Sequence, residues 1–113
     1  MKRFAIVVLL IAAIGMSLSA TGTSETASAQ GVTDDTVLVG NTAATSGALA
    51  AVGVPFNNGI EAYFAMVNGS GGVAGRTIEW VHYDDEFDGA QGLTYSQRLV
   101  EDDRIFGFVG HFG

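Results

Sequence analysis

The apolar and polar positions of this chain follow two periods in turn. From Thr36 to Thr42 the residues are mostly β-branched or apolar, with Val37, Leu38 and Val39 adjacent. A continuous run of this kind predicts a strand covered on both faces, as in a parallel sheet. A loop of small residues follows, from Ala43 to Gly53. Pro55 suits the first turn of a helix, and Phe56, Ile60, Phe64 and Val67, with Tyr63 alongside, recur at helical spacing. Asn68 to Gly72 carries three glycines and ends that helix. Thr77 to Tyr83 reads as a second strand, and Glu79 and His82 within it suit a sheet edge. Asp88 then caps a second helix, with Gln91 at capping-box spacing. Leu93, Leu99 and Val100 give this helix a core side, and Glu101 to Asp103 ends it. Ile105 to Val109 is almost wholly apolar and predicts a third, central strand.

The order β-α-β-α-β has connections of crossover length, and such crossovers are right-handed in nearly all cases. The fold class is therefore α/β: a partial doubly wound parallel sheet with strand order 2-1-3. Ligands of such sheets bind at the carboxyl ends of the strands near the switch point. This directs attention to the loops after strands one and three.

The segment before the first strand changes the domain picture. Met1-Lys2-Arg3 is cationic, Phe4 to Met16 is uncharged and apolar, and a small-residue stretch ends in Ala27-Ser28-Ala29. This is the layout of a secretory signal peptide. The apolar run is short for a membrane span, which needs about 20 residues. The expected division is a signal peptide over 1–29, a flexible start over 30–35 and a globular part over 36–113. Cleavage after Ala20 and retention as an uncleaved anchor are the alternatives.

The composition narrows the function. The 113 residues include 12 acidic and 5 basic side chains, a formal charge of −7, and no cysteine. The acidity opposes nucleic-acid binding, which requires a basic surface. Without cysteine there is no disulfide framework, thiolate metal site, thiol nucleophile or N-terminal cysteine for a lipid.

The motifs with chemical potential reduce to structural ones. Gly69 to Ala74 has the G-x-G-x-x-A spacing, but it follows a helix, whereas a phosphate cradle must open one. Asp84, Glu86, Asp88 and Gly89 resemble the start of a calcium loop, yet Tyr95 stands where the bidentate glutamate belongs. His82 and His111 lie on separate elements and lack the further ligands that a metal site needs. No spacing organises a catalytic triad. The expectation is no catalytic residue, no metal and no cofactor.

Several stretches in order carry a likeness. They are the Thr45-Ser46-Gly47 loop after strand one, the Gly53 to Glu61 helix pattern G-x-P-x-x-x-G-I-E, and Asn68 to Ile78 (NGSGGVAGRTI). Tyr83-Asp84-Asp85, Phe87-Asp88, Arg98 to Glu101 and Val109-Gly110-His111 follow. Together they resemble the N-terminal part of type I periplasmic binding proteins of the leucine/isoleucine/valine-binding family. The resemblance implies a two-lobed extracytoplasmic receptor that closes on its ligand by hinge motion. It implies a solute-binding role in amino-acid import, with a small polar ligand and an ABC permease as partners and no enzymatic activity. By position it implies ligand contacts at Ser46, Val52 and Gly113, with Val52 replacing a cleft residue that is often aromatic in relatives.

Members of that family have two lobes, so the chain is expected to be a truncated product or fragment. Strand three would then be an exposed apolar edge. Two other functions fit the same elements: the ligand-sensing domain of a membrane receptor, and a secreted α/β enzyme whose catalytic part lies elsewhere.

Overall fold

The computed structural model describes residues 28–113. The expected signal peptide therefore lies almost wholly outside the described residues. Strand β1 spans Thr36–Ala43, helix α1 Ala50–Gly69, strand β2 Thr77–Asp84, helix α2 Gly89–Glu101 and strand β3 Gly107–Phe108. The three strands are parallel in the order β2-β1-β3, as the crossover pattern requires. β1 is central and β2 is an edge. Thr36 pairs with Thr77, and the register runs unbroken to Ala43 and Asp84.

The β3 side is irregular. Expected over Ile105 to Val109, the regular strand is reduced to two residues. Val39 pairs with Gly107 and Gly40 with Phe108, yet Ala43 bridges Phe112. The returning strand thus carries one extra residue, and Gly110 absorbs it at φ 68°. β3 forms the second edge among the described strands, with Phe106 and Phe108 exposed.

α1 begins earlier than expected. A 3-10 turn over Gly47–Leu49 leads directly into it, so Pro55 lies inside the helix and not in its first turn. Ala48 to Ala51 are small or straight-chain residues with high helix propensity, which favours the earlier start. Its inward face agrees at Ile60, Phe64 and Val67 and differs elsewhere. Gly53 and Asn57 are the buried residues, and Ile60, Phe64 and Val67 are half-buried. Phe56 and Tyr63, expected on the core side, are exposed. The sheet selects a face that starts from the smallest residue, because there the helix backbone touches the loop after β1.

α1 ends as anticipated. The N–H groups of Ser70, Gly71 and Gly72 donate to the carbonyls of Met66, Val67 and Asn68. These amides close the helix and are not turned outward toward an anion. Asn68 also donates through Nδ2 to the Ile78 carbonyl at 2.9 Å and accepts from the Ile78 N–H at 2.8 Å. Its amide thereby satisfies backbone groups on the edge strand β2.

On the opposite face of the sheet, Asp88 caps α2 by accepting from the Gln91 N–H at 2.8 Å. Leu99 is fully buried beside Gly40, where an added Cβ would stand 2.7 Å from Leu99 Cδ2. Tyr95, one turn earlier, stacks on Tyr83 with ring centres 5.1 Å apart. Leu93 and Val100 were expected in the core but are exposed, since the inward line passes through Tyr95 and Leu99 and they flank it.

Residues 30–35, read from the sequence as a flexible start, make specific contacts. Gln30 Nε2 donates to the carbonyls of Val100 and Ile105, each at 3.1 Å. Leu38 N–H donates to Gly31 O at 2.7 Å, and Val32 bridges Val37.

Candidate ligand site at the carboxyl end of the sheet

The carboxyl end of β1 is the most buried stretch among the described residues, and Asn41 through Ala44 are all buried. Loops from all three strands meet there. The loop after β1 is tied to the end of β2 through one carboxylate oxygen. Asp84 Oδ1 accepts from the N–H groups of Thr45 at 2.9 Å, Glu86 at 3.1 Å and Ser46 at 3.3 Å. Burial raises the pKa of Asp84, but these bonds and one from the Ser46 side chain outweigh it and hold the pKa at about 2.

Asp85, also buried, accepts from the Phe87 N–H at 2.9 Å. Glu86 and Phe87 have φ of 52° and 64°, so the acidic loop carries two successive left-handed residues. Of the carboxylates that suggested a calcium loop, Asp84 and Asp88 thus accept from backbone amides. Among the described residues, no group of three or more metal-ligating side chains forms.

Inside this end of the sheet lies a polar cluster. His82 Nε2 is 3.0 Å from Thr45 Oγ1, and His82 Nδ1 is 3.1 Å from Asn41 Oδ1. Asn41 Nδ2 donates to Gly110 O at 2.8 Å and to Asn57 Oδ1 at 3.0 Å. Burial lowers the His82 pKa, and the Asp84 and Asp85 carboxylates only partly offset this. On the other side of β1, His111 Nδ1 accepts from the Thr42 N–H at 3.0 Å. The two histidines therefore serve separate contacts.

The residues expected at the ligand are distributed across this end. Ser46 is half-buried on Asp84. Gly113 lies against Asp85, where an added Cβ would stand 3.2 Å from Oδ2. Val52 is in the first turn of α1 and half-exposed. The neighbouring carboxylates of Asp84 and Asp85 thus link the Ser46 and Gly113 loops. A cavity of about 360 Å³ opens beside Gly113, between Thr42, Asp85, His111 and the Gly92 to Ser96 side of α2. Ser46 and Val52 do not line it. Phe112 bridges two elements at this end, with ring centres 6.0 Å from Phe56 and 5.8 Å from Phe87.

Sequence reasoning did not single out Asn41 as a site residue; Thr45 entered only within the loop after strand one, and Asp84 only as a rejected calcium ligand. Asn41 offered one signal, as a lone amide near the end of an apolar strand.

Residues 36–113 match the periplasmic binding protein family. The chain is 37% identical over 76 residues to a Leu/Ile/Val-binding protein homolog 2 of Brucella abortus, covering 67% of this chain and 20% of the relative. It is 32% identical over 76 residues to an amino acid binding protein of Pseudomonas aeruginosa, with the same coverage. Among solved structures it resembles the branched-chain amino acid transporter substrate binding protein LivJ of Streptococcus pneumoniae, in complex with isoleucine. The TM-score is 0.65 at 29% identity, covering 67% of this chain and 22% of that one. It also resembles a fatty acid ABC transporter substrate-binding protein of Thermomonospora curvata, with TM-score 0.63 at 28% identity, covering 74% of this chain and 20% of that one. The chain spans about a fifth of the length of the curated relatives it matches. Strand order, helix placement and the match over 36–113 agree: the chain belongs to the periplasmic binding protein family.

Proposed function

We propose that this chain supplies part of the ligand-binding lobe of an extracytoplasmic receptor that delivers branched-chain or related amino acids to an ABC permease. The observation that carries the reading is the convergence of the loops after β1 and β3 at the end of the central strand, in a chain 37% identical to a Leu/Ile/Val-binding homolog. Ser46 is the proposed hydroxyl contact to a polar group of the amino acid. Val52 is the proposed apolar contact beside Ser46, outside the cavity at Gly113, and Gly113 begins the turn proposed to approach the carboxylate. The receptor performs no chemistry on its ligand. Residues 1–29 direct export.

The test is a chimera in which residues 36–113 replace the matching stretch of the Brucella abortus relative. Calorimetric titration with leucine, isoleucine and valine is expected to show micromolar binding. Ser46→Ala is expected to weaken it about tenfold, the loss of one hydrogen bond to a charged group. A chimera that melts cooperatively but binds none of the three amino acids overturns the reading. Binding of a fatty acid in their place assigns the site to the chemistry of the Thermomonospora relative.

A further inference from the structure

We propose that Asn41 and His82 form a polarised hydrogen-bond relay that fixes the loop after β1 relative to the loop after β3, and that both are positioning residues for the ligand site. The inference rests on the ligand reading above for its role; its existence rests on hydrogen-bond geometry, with burial of His82 fixing the charge of the ring.

The polarity follows from one atom. Gly110 O can only accept, so the Asn41 atom 2.8 Å from it must be the amide nitrogen. Asn41 Oδ1 then faces His82 Nδ1 at 3.1 Å, and Nδ1 must carry a proton. Burial favours the neutral ring, against the pull of Asp84 and Asp85, so Nε2 is left unprotonated. Nε2 accepts from the Thr45 hydroxyl at 3.0 Å. The chain of donors therefore runs from Thr45 through His82 and Asn41 to Gly110. Trp80, stacked on His82 with ring centres 5.8 Å apart, keeps the imidazole in the plane this requires.

Each end of the relay lies beside a residue proposed to face ligand. Thr45 precedes Ser46, and its N–H shares the Asp84 oxygen with that of Ser46. Gly110 begins the turn that leads to Gly113. Asn41 is fully buried, so any shift of one loop against the other would strand a donor or an acceptor away from water.

Nitrogen NMR of the 113-residue chain, and of the chimera described above, reads the imidazole tautomer directly. The expected result is His82 protonated at Nδ1 and bare at Nε2 at pH 7. The opposite tautomer overturns the relay. Asn41→Asp keeps the acceptor for His82 and removes both donors. It is expected to keep the proton on His82 Nδ1, move the Gly110 carbonyl resonance and lower leucine affinity of the chimera about tenfold. An unmoved Gly110 resonance refutes the link to the second loop, and unchanged leucine affinity refutes the positioning role. The tautomer needs no ligand, so its failure is distinct from failure of the unsubstituted chimera to bind amino acids.

Discussion

The backbone of Gly53 in α1 lies directly against the carbonyl of Ala44, so close that a Cβ on Gly53 would overlap the Ala44 oxygen. This contact sets the distance between the helix and the loop after β1, and with it the height of Ser46 over the sheet. Gly53→Ala is expected to destabilise the fold by about 2 kcal/mol or more, since overpacking outweighs the gain of up to about 1 kcal/mol in helix propensity. Gly59, in the same helix, has open space around it. Gly59→Ala is expected to stabilise by about 0.5–1 kcal/mol. Urea unfolding of the two variants should move in opposite directions.

α2 offers a similar contrast. Leu99 is fully buried against Gly40, whereas Leu93 is 61% exposed. Leu99→Ala is expected to cost about 2–5 kcal/mol, the usual range for a buried leucine. Leu93→Ala should stay within about 0.5 kcal/mol. Equal losses would mean that the helix rests on a different face.

Acid should weaken the fold in two pH windows. His82 has a folded pKa below 6.5, so between that value and 6.5 the unfolded chain binds a proton that the folded chain does not. Its contribution is complete above pH 6.5 and declines as pH falls below it. Asp84 is held at about 2 against an ordinary 3.8, so its contribution is complete above 3.8 and is lost as pH falls toward 2. Urea midpoints from pH 8 to pH 3 should fall first below 6.5 and again below 3.8. His82→Gln should shrink the first fall, and Asp84→Asn the second.

Element types and their order were legible in the residues because they rest on local periodicity and turn chemistry. The Val37 to Val39 run, the glycines after Asn68 and the Asp88 cap each act within a few positions. The strand order 2-1-3 followed from the handedness of crossovers and from the mixed polarity of β2. The motif order also pointed to the periplasmic binding protein family.

The facing of each helix was legible only in part: Ile60, Phe64, Val67 and Leu99 turn inward as expected, but their neighbours do not. Phe56, Tyr63, Leu93 and Val100 are apolar enough to seem internal, yet which side packs depends on close approach at Gly53 and Gly40, and no local pattern records that. The bulge that shortens β3 likewise arises from pairing Ala43 with a residue far along the chain. The polar cluster lay furthest from view: Asn41, Asn57, His82 and Gly110 are scattered in sequence, and hydrogen bonds join them only once four elements meet. Sequence alone determined the elements, their order and the family, because those follow from short-range chemistry. Tertiary structure decided which side chains share the end of β1, because burial and hydrogen-bond partners depend on which distant segments come together.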